Sequence, residues 1–162
     1  MKSPFAFLSN LSEEPRIQEL KGLTLFRELT SREIREVDEL LHERTYQKDE
    51  VIFDEGDVGL GLFIIVSGRV KIVSSHASLH DLAPEFRRGD YFGEMALFDK
   101  AQRTARAVAA EPTQIVALFR TEFFSLLERD RGIAAKILFE LARTVCARSR
   151  QLITADKHQP SL

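Results

Sequence analysis

One cysteine, Cys146, is all that the 162 residues contain, so no intramolecular disulfide can form and a reducing compartment fits best. Long hydrophobic runs are missing too. The opening MKSPFAFLSNLSEEP carries one lysine and a brief apolar patch rather than the sustained core of a secretion signal. No stretch approaches membrane-spanning length, so a cytoplasmic protein without a membrane partner is expected. Nor is there a basic excess. Lys and Arg number 23 against 25 Asp and Glu, the net charge is -2 and the pI about 6.1, unlike a free-standing nucleic-acid binder. Internal repeats and low-complexity segments are absent as well.

What remains is an ordinary globular composition, 44% hydrophobic and 30% charged, in a chain long enough to bury a core as one domain with or without a helical appendage. The N-terminal third reads as helical. Leu11 to Gly22 predicts a short helix with Ser12 at its cap and Pro15 in its first turn. In LFRELTSREIREVDELLHER (25–44), Thr30 and Glu33 form a capping-box pair, and Ile34, Val37, Leu40 and Leu41 follow at helical spacing.

From Tyr46 the pattern becomes short β-branched and aromatic runs broken by glycine. Val51–Phe53, Leu62–Val66 and Val70–Val73 read as strands, with turns at Glu55-Gly56-Asp57 and Ser67-Gly68. Further strands are expected around His80–Leu82, at Arg106–Ala109 and at Gln114–Phe119, which together imply a small antiparallel barrel or sandwich. After Phe119 the helical period returns. Thr121 is expected to cap TEFFSLLER, Gly132 to mark a break, and 133–153 to form a second helix with Leu138, Leu141, Val145 and Leu152 on one seam, interrupted by Arg148. The polar end beyond Thr154 reads as a frayed tail.

The stretch FGEMALFDKAQRTARA (92–107) concentrates the chemistry. Gly93-Glu94-Met95-Ala96-Leu97 predicts one helical turn, whose first amides favour an anion in front of them. Gly93 lets a ligand approach the backbone. A carboxylate beside an anion site needs another task, and accepting hydrogen bonds from a sugar hydroxyl suits Glu94. Nine residues on, Arg103 supplies a fixed positive fork for phosphate oxygens, and the small Thr104 and Ala105 leave their amides accessible. Each piece also has a plain structural reading: a turn dipeptide, core apolar residues, a surface arginine.

Order and spacing together resemble the cyclic nucleotide-binding domain of the cAMP-receptor and protein-kinase regulatory type. Its phosphate-binding cassette is matched by Phe92-Gly93-Glu94-Met95-Ala96-Leu97 followed by Arg103-Thr104-Ala105. Upstream, Ile52-Phe53-x-Glu55-Gly56-Asp57 and Phe63-Ile64-Ile65-x-x-Gly68-x-Val70 are similar to the family's strands and turns. The resemblance runs from about Leu25 to Leu152. It implies a mainly β fold with flanking helices (α+β), an antiparallel eight-stranded, jelly-roll-like β-roll, and a C-terminal helix acting as lid or dimer segment. It places an N-terminal extension at 1–24, the binding domain at 25–154 and a tail at 155–162. It implies that Glu94 holds the ribose 2′-hydroxyl, that Arg103 holds the cyclic phosphate, and that amides near Gly93, Ala96 and Ala105 complete the cradle. The expected site is therefore Phe92, Gly93, Glu94, Met95, Ala96, Arg103, Thr104 and Ala105, with cAMP or cGMP as ligand and no metal. Departures from the pattern are Asp49 where a turn glycine is common, Gln102 in place of proline, and Ala107 at a usually β-branched position.

The reading is a cyclic nucleotide sensor that signals through its last helix, with a homodimer through that helix as a further expectation. The alternative is an interaction module of the same fold that does not respond to nucleotide. A cupin-type metal enzyme is disfavoured because His42, His76, His80 and His158 do not form a His-x-His set, and His76 and His80 alone make a weak site. Cys146 reads as a packing residue, with no nucleophile–base pair, so no enzymatic activity is expected. Arg143, Arg148 and Arg150 read as a solvated basic face. The chain stops about ten residues after the long helix, which leaves no room for a helix-turn-helix, and no direct DNA binding is expected.

Overall fold

The computed structural model describes residues 7–8, 11–74 and 84–156, with side chains as far as Gln151. The strand expected around His80–Leu82 lies outside the described residues, as do His76, His80, His158 and the side chain of Leu152. In chain order the elements are α1 (Glu13–Lys21), a 3-10 turn (Thr24–Phe26), α2 (Ser31–Asp38), β1 (Leu41–Tyr46), β2 (Val51–Phe53), β3 (Gly61–Ser67) and β4 (Arg69–Val73). Then follow β5 (Glu85–Arg87), β6 (Tyr91–Phe92), α3 (Met95–Phe98), β7 (Arg106–Ala109), β8 (Thr113–Phe119), α4 (Arg120–Arg129) and α5 (Arg131–Asp156).

Among the described residues, eight strands make two four-stranded antiparallel sheets, ordered β1-β8-β3-β6 and β2-β7-β4-β5. This is the expected β-roll with flanking helices. Side-chain alternation divides the core in two. Phe63, Ile65, Phe92, Ile115 and Ala117 point into the roll with Val70 and Ala107 of the facing sheet. Their sequence neighbours Leu62, Ile64, Val66, Tyr91, Val116 and Leu118 point outward onto Ile17, Leu20, Phe26, Phe123, Ile137 and Leu141 of the helical layer. Because this sheet is covered on both faces, β3 reads as an unbroken apolar run.

Several sequence-based boundaries move. The capping box at Thr30 and Glu33 is present on both arms, but α2 ends at Asp38. Leu40 donates back to the Val37 carbonyl (2.9 Å), and the backbone from Leu41 to Tyr46 pairs along its whole length with β8. Leu41 has helical spacing from Val37, yet pairing with a buried central strand prevails over local period. Ser12 stands at the α1 N-cap without a side-chain cap bond. Thr121 is not the cap of α4, where Phe119 occupies that position and the Thr121 hydroxyl donates to Glu122. The break expected at Gly132 falls at Asp130, whose Oδ1 accepts from the Ile133 amide at 3.1 Å, so Gly132 lies inside α5. Helix α5 also runs to Asp156, into the segment expected to be tail. Cys146 is exposed, not packed. The α5 seam divides: Leu141 belongs to the core, Leu138 packs against it and Val145 is exposed.

Asp49 adopts a left-handed conformation that favours glycine, with φ 68° and its amide on the Ala109 carbonyl (2.8 Å). Since a Cβ is disfavoured there, Asp49→Gly is expected to raise stability by up to about 1 kcal/mol, read from the urea midpoint.

Ion pairs join the helical layer. Lys136 of α5 donates to both oxygens of Glu33 in α2 (2.7 and 2.8 Å). Burial opposes the charged carboxylate, but the bonds from Lys136 and Thr30 outweigh it and hold the Glu33 pKa below its ordinary 4.5. A depressed carboxylate pKa stabilises the fold above 4.5 and loses that contribution as pH falls through the folded value. Glu33→Gln should therefore cost up to about 1 kcal/mol at neutral pH. The difference from wild type should vanish in acid well below 4.5, as paired denaturation curves would show.

Candidate functional site

The cassette stretch runs from the end of β6 through a turn, α3 and a loop into β7. All eight site residues named from the sequence line one cavity, together with Phe53, Gly59, Ile72, Phe86 and Arg148. Its volume of about 170 Å³ far exceeds the ~10–15 Å³ that admits one water molecule. The back wall is aromatic. Phe53 and Phe86 each lie 5.9 Å from Phe92 by ring centroids, and Phe63 of the inner core packs 5.7 Å from Phe53 and 5.6 Å from Phe92.

Arg103 is fixed at both ends. Its amide donates to the Asp57 carbonyl (2.7 Å) and its carbonyl accepts from Gly56 (2.8 Å), so the Glu55-Gly56-Asp57 turn clamps the cassette backbone. The guanidinium lies 4.2 Å over the Phe53 ring and donates to the carbonyls of Gly93 (3.0 Å) and Gly61 (2.8 Å). Among the described residues no carboxylate lies within ion-pair distance of it. Burial lowers its pKa, while the charges of Asp57 and Glu94 act the other way. A half-buried cation held by neutral carbonyls at a cavity wall attracts an anion.

Gly93 has a role that spacing alone does not reveal. Its φ is +76°, and a Cβ there would stand 2.7 Å from Arg103 Nη1. Glycine thus permits both the left-handed turn and the close seating of the guanidinium. Gly93→Ala is expected to misplace Arg103 and to weaken anion binding by at least tenfold, about 1.4 kcal/mol, in an equilibrium titration. The α3 turn is short: Ala96 donates to Gly93 (3.3 Å) and Leu97 to Glu94 (3.0 Å). Met95 is exposed, whereas Ala96 is buried against Gly59.

Glu94 is 8% exposed. Its Oε1 accepts from Arg148 Nη1 of α5 at 2.7 Å, and Arg148 Nη2 donates to the Tyr91 carbonyl at 2.5 Å. Arg148 also lies 4.9 Å from the Phe86 ring centre, so one α5 side chain closes the cavity beside its only buried carboxylate among the described residues. Tyr91 reinforces the attachment by donating its hydroxyl to the Glu140 carbonyl of α5 (3.1 Å). Sequence reasoning placed Arg148 on a solvated basic face. The available signal was its interruption of an apolar seam, which marks a helix position facing something polar.

Arg143 is likewise engaged, 3.5 Å from Glu140 and 5.0 Å from the Phe139 ring. His42 lies in β1 near Glu122 (3.5 Å). Among the described residues no group of three or more His, Cys, Asp or Glu could hold a metal, and no helix is long and apolar enough to cross a membrane.

A family model described as the cyclic nucleotide-binding domain matches residues 43–130. The chain is 35% identical over 129 residues to a cyclic AMP receptor protein of Thermus thermophilus, covering 76% of this chain and 58% of that protein. It is 31% identical to a cAMP-dependent protein kinase regulatory subunit of Mycosarcoma maydis, covering 70% of this chain and 23% of that one. The chain thus spans well under two thirds of the length of these relatives. Among solved structures, a cyclic nucleotide-binding domain from Methylobacillus flagellatus superposes with a TM-score of 0.77 at 24% identity, over 90% of this chain and 84% of the other. The Thermus thermophilus catabolite activator protein superposes with a TM-score of 0.69 at 30% identity, over 82% and 63%.

Proposed function

The chain belongs to the cyclic nucleotide-binding domain family, and from that premise we propose that it is a cytoplasmic regulatory protein that binds cAMP or cGMP in the cassette cavity and signals through α5. The observation that carries this reading is Arg103, a half-buried guanidinium with no carboxylate partner among the described residues, facing a cavity that Glu94 also lines. A cyclic nucleotide presents one anionic phosphodiester and one free ribose hydroxyl. The cation takes the first and the carboxylate takes the second. Gly93, Ala96, Thr104 and Ala105 surround the phosphate with small groups, and Phe92 and Met95 frame the cassette turn. The aromatic and aliphatic wall of Phe86 and Ile72 accommodates the base.

Signalling through α5 is supported by the direct bonds from Arg148 to the cassette and from Tyr91 to Glu140. Within this reading, homodimerisation uses the outer side of α5, where Phe139 and Val145 are exposed. A single sedimenting monomer with and without ligand would remove the dimer from the account.

The reading is tested by comparing ribose and 2′-deoxyribose forms of each cyclic nucleotide in displacement assays. A hydrogen bond to a charged acceptor is worth about 1.5–3 kcal/mol, so the ribose form should bind more tightly than the deoxy form. Glu94→Ala should narrow that ratio. Equal affinities in the wild type would contradict the role given to Glu94.

A further inference from the structure

We infer that Arg148 is a built-in competitor for the ligand, occupying the carboxylate that the ribose hydroxyl needs, so that binding and release of α5 are one exchange. The inference rests on the cyclic nucleotide reading of the cavity. Three observations carry it. Arg148 Nη1 sits on Glu94 Oε1 at 2.7 Å, and Glu94 as a residue is 8% exposed. The same guanidinium is part of the cavity wall, between Glu94 and the Phe86 face. Its second arm is anchored on the Tyr91 carbonyl, so it is held by the strand that leads into the cassette rather than by solvent.

Glu94 Oε1 is already taken by the guanidinium, so a sugar hydroxyl that takes this oxygen must displace Arg148 from it. The hydroxyl donates to Glu94, the Glu94–Arg148 bond breaks, and Arg148 leaves with the C-terminal half of α5. No covalent step is involved. A site whose competent state is populated about one part in ten shows an affinity about tenfold below its intrinsic value, and removing the competitor restores the difference. The expected sign is therefore opposite to that of a lid residue, which would hold the ligand in place.

The mutation also changes selectivity. A 2′-deoxy ligand has no hydroxyl to exchange and can bind with Arg148 still on Glu94. Once Arg148 is gone, only the ribose form gains a newly exposed acceptor.

The test titrates wild type, Arg148→Ala and Arg148→Gln with cAMP, cGMP and their 2′-deoxy analogues, with thermal melts to establish that each variant is folded. Cys146, exposed on α5 and the only cysteine in the chain, carries a nitroxide label as a second readout. Arg148→Ala should bind the ribose ligand about tenfold more tightly and show a larger ribose-to-deoxyribose ratio than wild type, with Arg148→Gln between them. The label should be restrained in the free wild type, loosened by ligand, and already loose in free Arg148→Ala. Unchanged or weaker binding by a folded Arg148→Ala, while wild type binds, overturns this inference and leaves the nucleotide reading standing. Binding by neither protein overturns the nucleotide reading and the inference with it. If Arg148→Ala does not fold, Arg148→Gln decides by the same signs.

Discussion

Arg103→Ala is expected to weaken cyclic nucleotide binding by roughly thirtyfold to several thousandfold, with little loss of fold stability. Truncating one partner of a desolvated charge pair costs about 2–5 kcal/mol, which sets that range. The asymmetry between binding and stability follows from what surrounds the side chain. Its guanidinium rests on Phe53 and on the carbonyls of Gly61 and Gly93, so its removal strands no carboxylate. The alanine variant loses instead a cation whose burial already disfavours its charge. Arg103→Lys should fall between, because a point charge cannot span Gly61, Gly93 and a phosphate as a planar fork does. Calorimetric affinities with melting curves for the three proteins provide the check.

The largest stability effect is expected far from the cavity, at Arg16. This α1 side chain donates to both oxygens of Asp38 (2.5 and 2.6 Å) and to Glu43 of β1 (2.7 Å), with side chains 16%, 17% and 11% exposed. The Asp38 bond is the main reason its pKa is raised, against the opposing effect of burial. Glu43 also accepts from the Leu8 amide (3.1 Å), so this cluster joins the N-terminal segment, α1, α2 and β1. Arg16→Ala leaves two neighbouring carboxylates without their shared cation and should cost about 3–5 kcal/mol. Replacing Arg16, Asp38 and Glu43 together by apolar residues of similar volume should cost less than the single change, because no charge is then left uncompensated. Urea unfolding of the single and triple variants would separate the two effects.

Most of the roll was legible because its strands announce themselves. Val51–Phe53 and Arg106–Ala109 appear at the boundaries expected, and Gly56 and Gly68 sit at the turns expected with φ of +88° and +90°. The cassette was legible through residue types whose chemistry is narrow: a glycine, a carboxylate and an arginine at fixed intervals. Three parts were not. Strand β1 was concealed because Leu40 and Leu41 continue the helical spacing of α2, and only the partner strand decides the conformation. Strands β5 and β6 are three and two residues long, too short to show any period. The attachment of α5 to the site was hidden because the break in the apolar seam at Arg148 marks a position facing something polar but does not name its partner, Glu94, 54 positions away. The pairing became visible only when the fold brought α5 across the cavity.

The central claim is that a cyclic nucleotide occupies the cavity between Arg103 and Glu94. Calorimetric titration of the wild-type chain with cAMP and with cGMP, and of Arg103→Ala in parallel, tests it most directly. The account predicts saturable one-to-one binding of at least one of the two ligands, lost or greatly weakened in the variant. No binding of either ligand by the folded wild type, or equal binding by Arg103→Ala, would contradict it.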